Sequence, residues 1–138
     1  MLYYLAALLW CKNKCHLYAQ RMPKHEEKYC PKCNELFVCK VGDIANCQCN
    51  TIILTEATQQ FLAKTSFDCL CINCLQKISK TVELSNAYIF PTQKEMFVEG
   101  LHYYIENNNC VFTEMYHILR GYCCESGCRH CVYGFKKN

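Results

Sequence analysis

The sequence predicts a small α+β fold stabilised by metal, with zinc-ribbon-like knuckles joined to short hairpins and short helices. Three observations predict it. The chain has 138 residues, and small domains bury too little surface to be secure without a further cross-link. It carries fifteen cysteines, several in paired Cys-x-x-Cys spacing. Its apolar, partly β-branched runs are short and bounded by turn residues.

Whether the cysteines bind metal or each other depends on compartment. Export requires a charged start, then an apolar run, then a small-residue cleavage site, and disulfides require export. Here Met1 to Trp10 is apolar, Lys12, Lys14 and Arg21 follow it, and no such cleavage site is apparent. The run is about half the length that spans a bilayer. The expectation is a cytoplasmic protein with no membrane association, whose reduced thiols take metal. The formal net charge of +3 counts each thiol as neutral. A Zn(Cys)4 centre carries −2, so two of them take the total to −1, and net charge gives no support for a nucleic-acid partner.

Four segments follow from the pattern: an N-terminal extension over 1–21, a cysteine-rich unit over 22–80, a connector over 81–100 and a second unit over 101–138. The first segment has two readings, an extension upstream of a true start at Met22 or a short amphipathic helix packed on the body. Cys11, Cys15 and His16 have near-ligand spacing without a fourth partner, and no site is placed there.

In the cysteine-rich unit, Pro23 to Glu27 is a polar lead-in, and Leu36-Phe37-Val38 and Thr51-Ile52-Ile53-Leu54 have the appearance of short strands. Thr55 caps a predicted helix through Glu56 to Lys64, and a second short helix follows Cys74 through Leu75 to Ile78. The connector holds Pro91 and Gly100 and a candidate strand at Ala87 to Phe90. Beyond it, His102 to Glu106 and Cys110 to Phe112 form a predicted hairpin around Asn107-Asn108-Asn109. Thr113 then caps a helix carrying Met115, Ile118 and Leu119 on one face, and Gly121 ends it.

Eight cysteines lie between Cys30 and Cys74. A Cys-x-x-Cys turn is half a tetrahedral site, because both thiolates reach one ion while backbone N–H groups point back at the sulfurs. Cys30 and Cys33 supply one half, Cys71 and Cys74 the other. Cys39, Cys47, Cys49 and Cys69 remain for a second ion, with an interleaved pairing of the same eight as the competitor. At the C-terminus Cys123, Cys124, Cys128 and Cys131 form a third candidate site, with His117 or His130 as alternates for one of the adjacent pair. Zinc is the expected metal, two or three ions in all; an iron–sulfur cluster is the alternative at the C-terminal group. Cys110 reads as a small buried hydrophobe, and His25 and His102 as surface residues.

The stretch from Tyr29 to Leu75, with CPKC, a lone Cys39, the CQC triplet and CLCINCL, resembles the bacterial cysteine-rich CWC family, although Gln48 stands where tryptophan is usual. The segment from Tyr103 to Phe135, with RGYCCESGCRHCVYGF, is similar to an uncharacterised family whose motif is R-G-x-C-C-x-S-G-C-R-H-C-P-Y-G; Glu125 and Val132 depart from it. Its cysteine element is also similar to that of the oxidoreductase-like amino-terminal domain family. These resemblances imply metal binding and bring no substrate.

The leading functional expectation is a non-enzymatic binding module that meets nucleic acid or a protein through Lys32, Lys40, Arg120, Arg129, Lys136 and Lys137. Iron–sulfur or thiol redox chemistry at Cys123 to Cys131 is a second expectation, and metal storage or carriage a third. No glycine-rich phosphate loop, Ser/His/Asp set or paired carboxylates stand out, which leans against an enzyme.

Overall fold

The computed structural model describes residues 24–41 and 43–136. The expectations for the N-terminal segment, including Cys11, Cys15, His16 and Met22, and for Lys137 fall outside these residues.

Strand β1 (Lys24–Tyr29) pairs antiparallel with β2 (Leu36–Val41), placing Tyr29 opposite Leu36 and Glu26 opposite Cys39. Side chains alternate along β2 as strand geometry requires: Cys39 is buried and Phe37 half-buried, while Leu36 and Val38 are exposed. Two 3-10 turns, Ile44–Asn46 and Gln48–Asn50, lead to helix α1 (Glu56–Ala63). Thr55 caps α1 by accepting from the Thr58 backbone N–H at 3.3 Å. Helix α2 (Ile72–Ser85) buries Leu75, Ile78 and Val82, which recur at i, i+3 and i+7 and present one apolar stripe. The two helices meet over Phe61, Leu62 and Leu75.

A second hairpin joins β3 (Tyr103–Glu106) to β4 (Asn109–Phe112). Its two-residue turn holds Asn107 and Asn108 at φ 48° and 60°, the left-handed pair that suits the twist of a hairpin. Helix α3 (Glu114–Arg120) starts at Thr113, whose hydroxyl accepts from the Tyr116 N–H at 3.2 Å, and stops at left-handed Gly121. Phe112 stacks on Tyr116 with ring centroids 4.1 Å apart.

The chain end returns to the first unit. Val132 and Tyr133 enter the same core as Phe61, Leu62, Phe67 and Leu70. The Ser66 N–H donates to the Tyr133 carbonyl at 2.8 Å, and the Ser66 hydroxyl donates to it at 3.1 Å.

Several local expectations are corrected. Residues 51–54 are not a strand; the partner of β2 is the polar lead-in, now β1, whose exposed side chains give no apolar alternation. Residues 87–90 form no strand, and the short helix expected after Cys74 is the 14-residue α2, which begins before that cysteine and runs beyond residue 80. Cys110 is exposed, not buried, because β4 turns it to solvent. His102 is buried at 4% exposure rather than on the surface: its Nδ1 accepts from the Val98 N–H at 3.0 Å, and its own carbonyl accepts from Thr113.

Two outcomes follow from this packing. Burial holds the His102 pKa below its ordinary value. Its neutral form is therefore favoured by folding, and the stability it contributes is present above the unfolded value near 6.5 and lost as pH falls below that. Unfolding free energy measured at pH 7 and pH 5 should drop more for the wild type than for His102→Asn, whose amide oxygen can still accept from Val98; equal drops would count against this assignment. Gly134 sits at φ +83°, and a Cβ there would lie 2.6 Å from Ser66 Oγ and 2.9 Å from Phe67 Cε1. Gly134→Ala should cost ~1–3 kcal/mol in urea unfolding, through backbone strain and loss of the seam between the two units. A wild-type midpoint would show the seam to be adaptable.

Candidate metal centre

The loop that closes the β1–β2 hairpin is itself a cysteine knuckle. Tyr29 pairs with Leu36, the next N–H, from Cys30, donates to the Glu35 carbonyl at 2.9 Å, and the Asn34 N–H returns to the Cys30 carbonyl at 2.7 Å. Asn34 completes the turn at φ 61°, a conformation asparagine tolerates better than most residues. Cys30 and Cys33 are thereby brought to one side of the loop.

The facing half comes from the start of α2. Cys71 is its N-cap residue, with extended dihedrals and no side-chain cap, and Cys74 lies in its first turn. The sulfurs therefore sit by the positive end of a 14-residue helix, where thiolate is favoured. Cys33 Sγ is 3.6 Å from Cys71 Sγ, and the Cys71 N–H donates to Cys30 Sγ at 3.5 Å. All four sulfurs lie within 4.8 Å of one another. Among the described residues this is the one set of three or more histidine, cysteine or acidic donors that converges so closely. Cys30, Cys71 and Cys74 are buried, and Cys33 is exposed.

Electrostatics suit a cation at that point. Burial raises the Cys30 thiol, but backbone N–H groups from Cys71, Cys33 and Lys32 aimed at its sulfur outweigh this and bring it down to about 7. Burial pushes Cys74 up, and the neighbouring thiols of Cys33, Cys71 and Cys30 push it further, since each new thiolate repels the next. Cys71 is raised by burial in the same way. A divalent ion removes that repulsion, and four clustered soft donors are a set that fits zinc.

The other cysteines of this unit are also buried: Cys39 on β2, Cys47 and Cys49 at the 3-10 turn, and Cys69 just ahead of α2. Cys39 Sγ lies 3.4 Å from Cys69 Sγ. Gln48, between Cys47 and Cys49, donates through Nε2 to the Leu70 carbonyl at 2.9 Å and ties the triplet to the segment carrying Cys69 and Cys71. Lys28 stands beside this group, held by Asp68 at 3.2 Å, and its charge faces Cys39 and Cys69. Sequence reasoning missed both Gln48 and Lys28 as supporting residues; the register of β1 against β2 was the signal needed for Lys28.

In the C-terminal group, Cys123 Sγ is 3.8 Å from Cys131 Sγ and Cys124 Sγ is 3.2 Å from Cys128 Sγ. His130 Nε2 is hydrogen-bonded to the Tyr104 hydroxyl at 2.8 Å. His117 is buried at 1% exposure. His25 is exposed, as expected.

Two family models match separate stretches of the chain. Residues 30–76 match the model of the Cysteine-rich CWC family, a span that runs from the first cysteine of the quartet to two residues past its last. Residues 92–137 match a family of unknown function (DUF5522), which takes in the second hairpin, α3 and the C-terminal cysteines. No curated protein and no solved structure shows a significant match.

Substitution separates the quartet from bystander thiols. Cys74→Ser should lower the metal content of protein purified without added metal by one ion per chain, whereas Cys110→Ser, on exposed β4, should leave the content at the wild-type value. Elemental analysis reads both, and an unchanged content in Cys74→Ser would remove Cys74 from any ligand set.

Proposed function

We propose that the protein is a small zinc-binding module whose fold depends on the ion it holds, with Cys30, Cys33, Cys71 and Cys74 as the primary ligands. The observation that carries this reading is the convergence of those four sulfurs from two segments nearly forty residues apart in sequence. Cys39, Cys47, Cys49 and Cys69 take a second ion in the same unit, a reading supported by their burial and by the Cys39–Cys69 approach. Such ions act structurally: closed thiolate shells leave no open position for substrate, and their binding free energy substitutes for missing core. A reducing compartment is the setting this requires. Among the described residues no helix is long and apolar enough to cross a membrane.

Three of the six basic side chains expected to meet an anionic partner are engaged within the chain. Lys32 pairs with Glu114 at 2.5 Å, and Arg129 pairs with Glu106. The Arg120 guanidinium lies 5.7 Å from the Tyr116 ring and 5.2 Å from the Tyr122 ring. Lys136 is exposed, and the engagement of the other three is what supports reading the module as a metal-built scaffold first.

Chelation tests the reading directly. Adding a strong zinc chelator to the purified full chain should abolish its cooperative thermal transition, because ~10 kcal/mol or more of ligand binding is withdrawn from folding. Zinc should restore the transition under reducing conditions. An ion-free protein that keeps the same sharp transition would overturn the proposal.

A further inference from the structure

The loop after α3 contains a second arrangement of sulfurs, unrelated in sequence to the quartet. Gly121, Glu125, Gly127 and Gly134 all have left-handed backbones, with φ of 83°, 55°, 69° and 83°, and so coil a short segment back on itself. The coil nests two sulfur pairs: Cys123 with Cys131 at 3.8 Å outside, and Cys124 with Cys128 at 3.2 Å inside. Adjacent Cys123 and Cys124 thus turn to different partners, and neither leaves a place that a histidine must fill. The Cys131 N–H closes a turn on the Cys128 carbonyl at 3.1 Å, and the Glu125 N–H points at Cys123 Sγ from 3.4 Å. These are the backbone features expected of a thiolate knuckle.

An independent observation comes from α3. His117 is 1% exposed, and among the described residues neither of its ring nitrogens has a hydrogen-bond partner. An unmet buried polar group of this kind costs ~1–3 kcal/mol, so a histidine kept there calls for a ligand or an acceptor. His117 and Cys128 line one cavity of about 260 Å³, together with exposed Cys110. His130, by contrast, is already held by Tyr104. Arg120, one helical turn from His117, lies against Cys124. The sulfur group thus has a half-buried cation and a buried, unused imidazole beside it, both suited to an anionic centre.

We propose that Cys123, Cys124, Cys128 and Cys131 hold a metal ion of their own, which draws the two close sulfur pairs, not mutually within 4.8 Å as they stand, into one four-thiolate centre. His117 backs this centre by donating an imidazole N–H toward the Cys128 side, and Arg120 offsets its charge. The site is separate from the quartet at α2, and neither assignment requires the other. The ligand class is a soft-accepting divalent cation such as zinc, and the role is to fasten the chain end whose Val132 and Tyr133 complete the core.

Thiol mapping on the folded wild-type chain tests this without relying on a variant that folds. Native protein is treated with an alkylating agent, with and without a zinc chelator, and modified cysteines are located by mass spectrometry. Exposed Cys110 should react in both samples and serves as the reference. Cys123, Cys124, Cys128 and Cys131 should resist until chelator is added. Their reaction at the Cys110 rate without chelator would overturn the centre, as would protection lifted by a reductant and not by the chelator, which would mean disulfides. Failure at the quartet would instead appear as early modification of Cys33, leaving the C-terminal result readable. His117→Gln should keep the ion count but speed chelator-driven exposure of these four thiols by ~10-fold. Release at the wild-type rate would remove His117 from the centre.

Discussion

The whole first unit depends on one constraint: four sulfurs from a hairpin loop and a helix start must share a space under 4.8 Å across. Neither contributor is self-sufficient. A two-stranded hairpin is marginal alone, and β1 is largely exposed, so little apolar burial holds it. Helix α2 has a good buried stripe but begins at a cysteine that offers no side-chain cap. Joining the loop to the helix start gives each what it lacks. The hairpin gains an anchor, and the free N–H groups of the first helical turn gain sulfurs to face. Once that junction is fixed, β2 places Cys39 beside Cys69, and Gln48 reaches Leu70 from the intervening loop.

The same logic explains why the two halves form one body. Apolar residues of α1 and α2 alone would leave Phe61 and Phe67 partly uncovered. Tyr133 closes over Phe61 with ring centroids 5.4 Å apart, and Val132 enters beside it. The close approach at Ser66 and Phe67 leaves no room for a side chain at residue 134, which is why glycine is found there. The C-terminal loop is therefore a structural lid on the first core as well as a carrier of cysteines.

What could be read from the sequence was what local chemistry dictates. Thr55 and Thr113 announced their helices because a capping hydroxyl acts within three residues, and the Asn-Asn turn announced its hairpin because few residues accept its dihedrals. The Cys30, Cys33, Cys71, Cys74 grouping was legible because each half is a local turn. Strand β1 was not, since it is stabilised by pairing rather than by apolar alternation, and pairing is invisible in a single polar run. The buried state of His102 and the exposure of Cys110 were hidden for a related reason: both depend on which face of the second hairpin meets the Phe97 and Phe112 rings, a long-range outcome.

Charge accounting ties these features together. The sequence shows a surplus of three positive charges only while its thiols are counted as protonated. A four-thiolate zinc centre would carry −2, and such a charge in a partly buried site needs nearby donors and cations. They are found where the sulfurs are: Lys28 beside Cys39 and Cys69, Arg120 beside Cys124 and Cys128, and the N-terminus of α2 at the quartet. Lys32 and Arg129 are matched by carboxylates of the second unit. Of the basic residues that look on paper like a surface for an anionic partner, Lys32 and Arg129 are thus balanced by the chain's own carboxylates and Arg120 by its C-terminal thiols, so part of the positive charge of the sequence is answered within the fold.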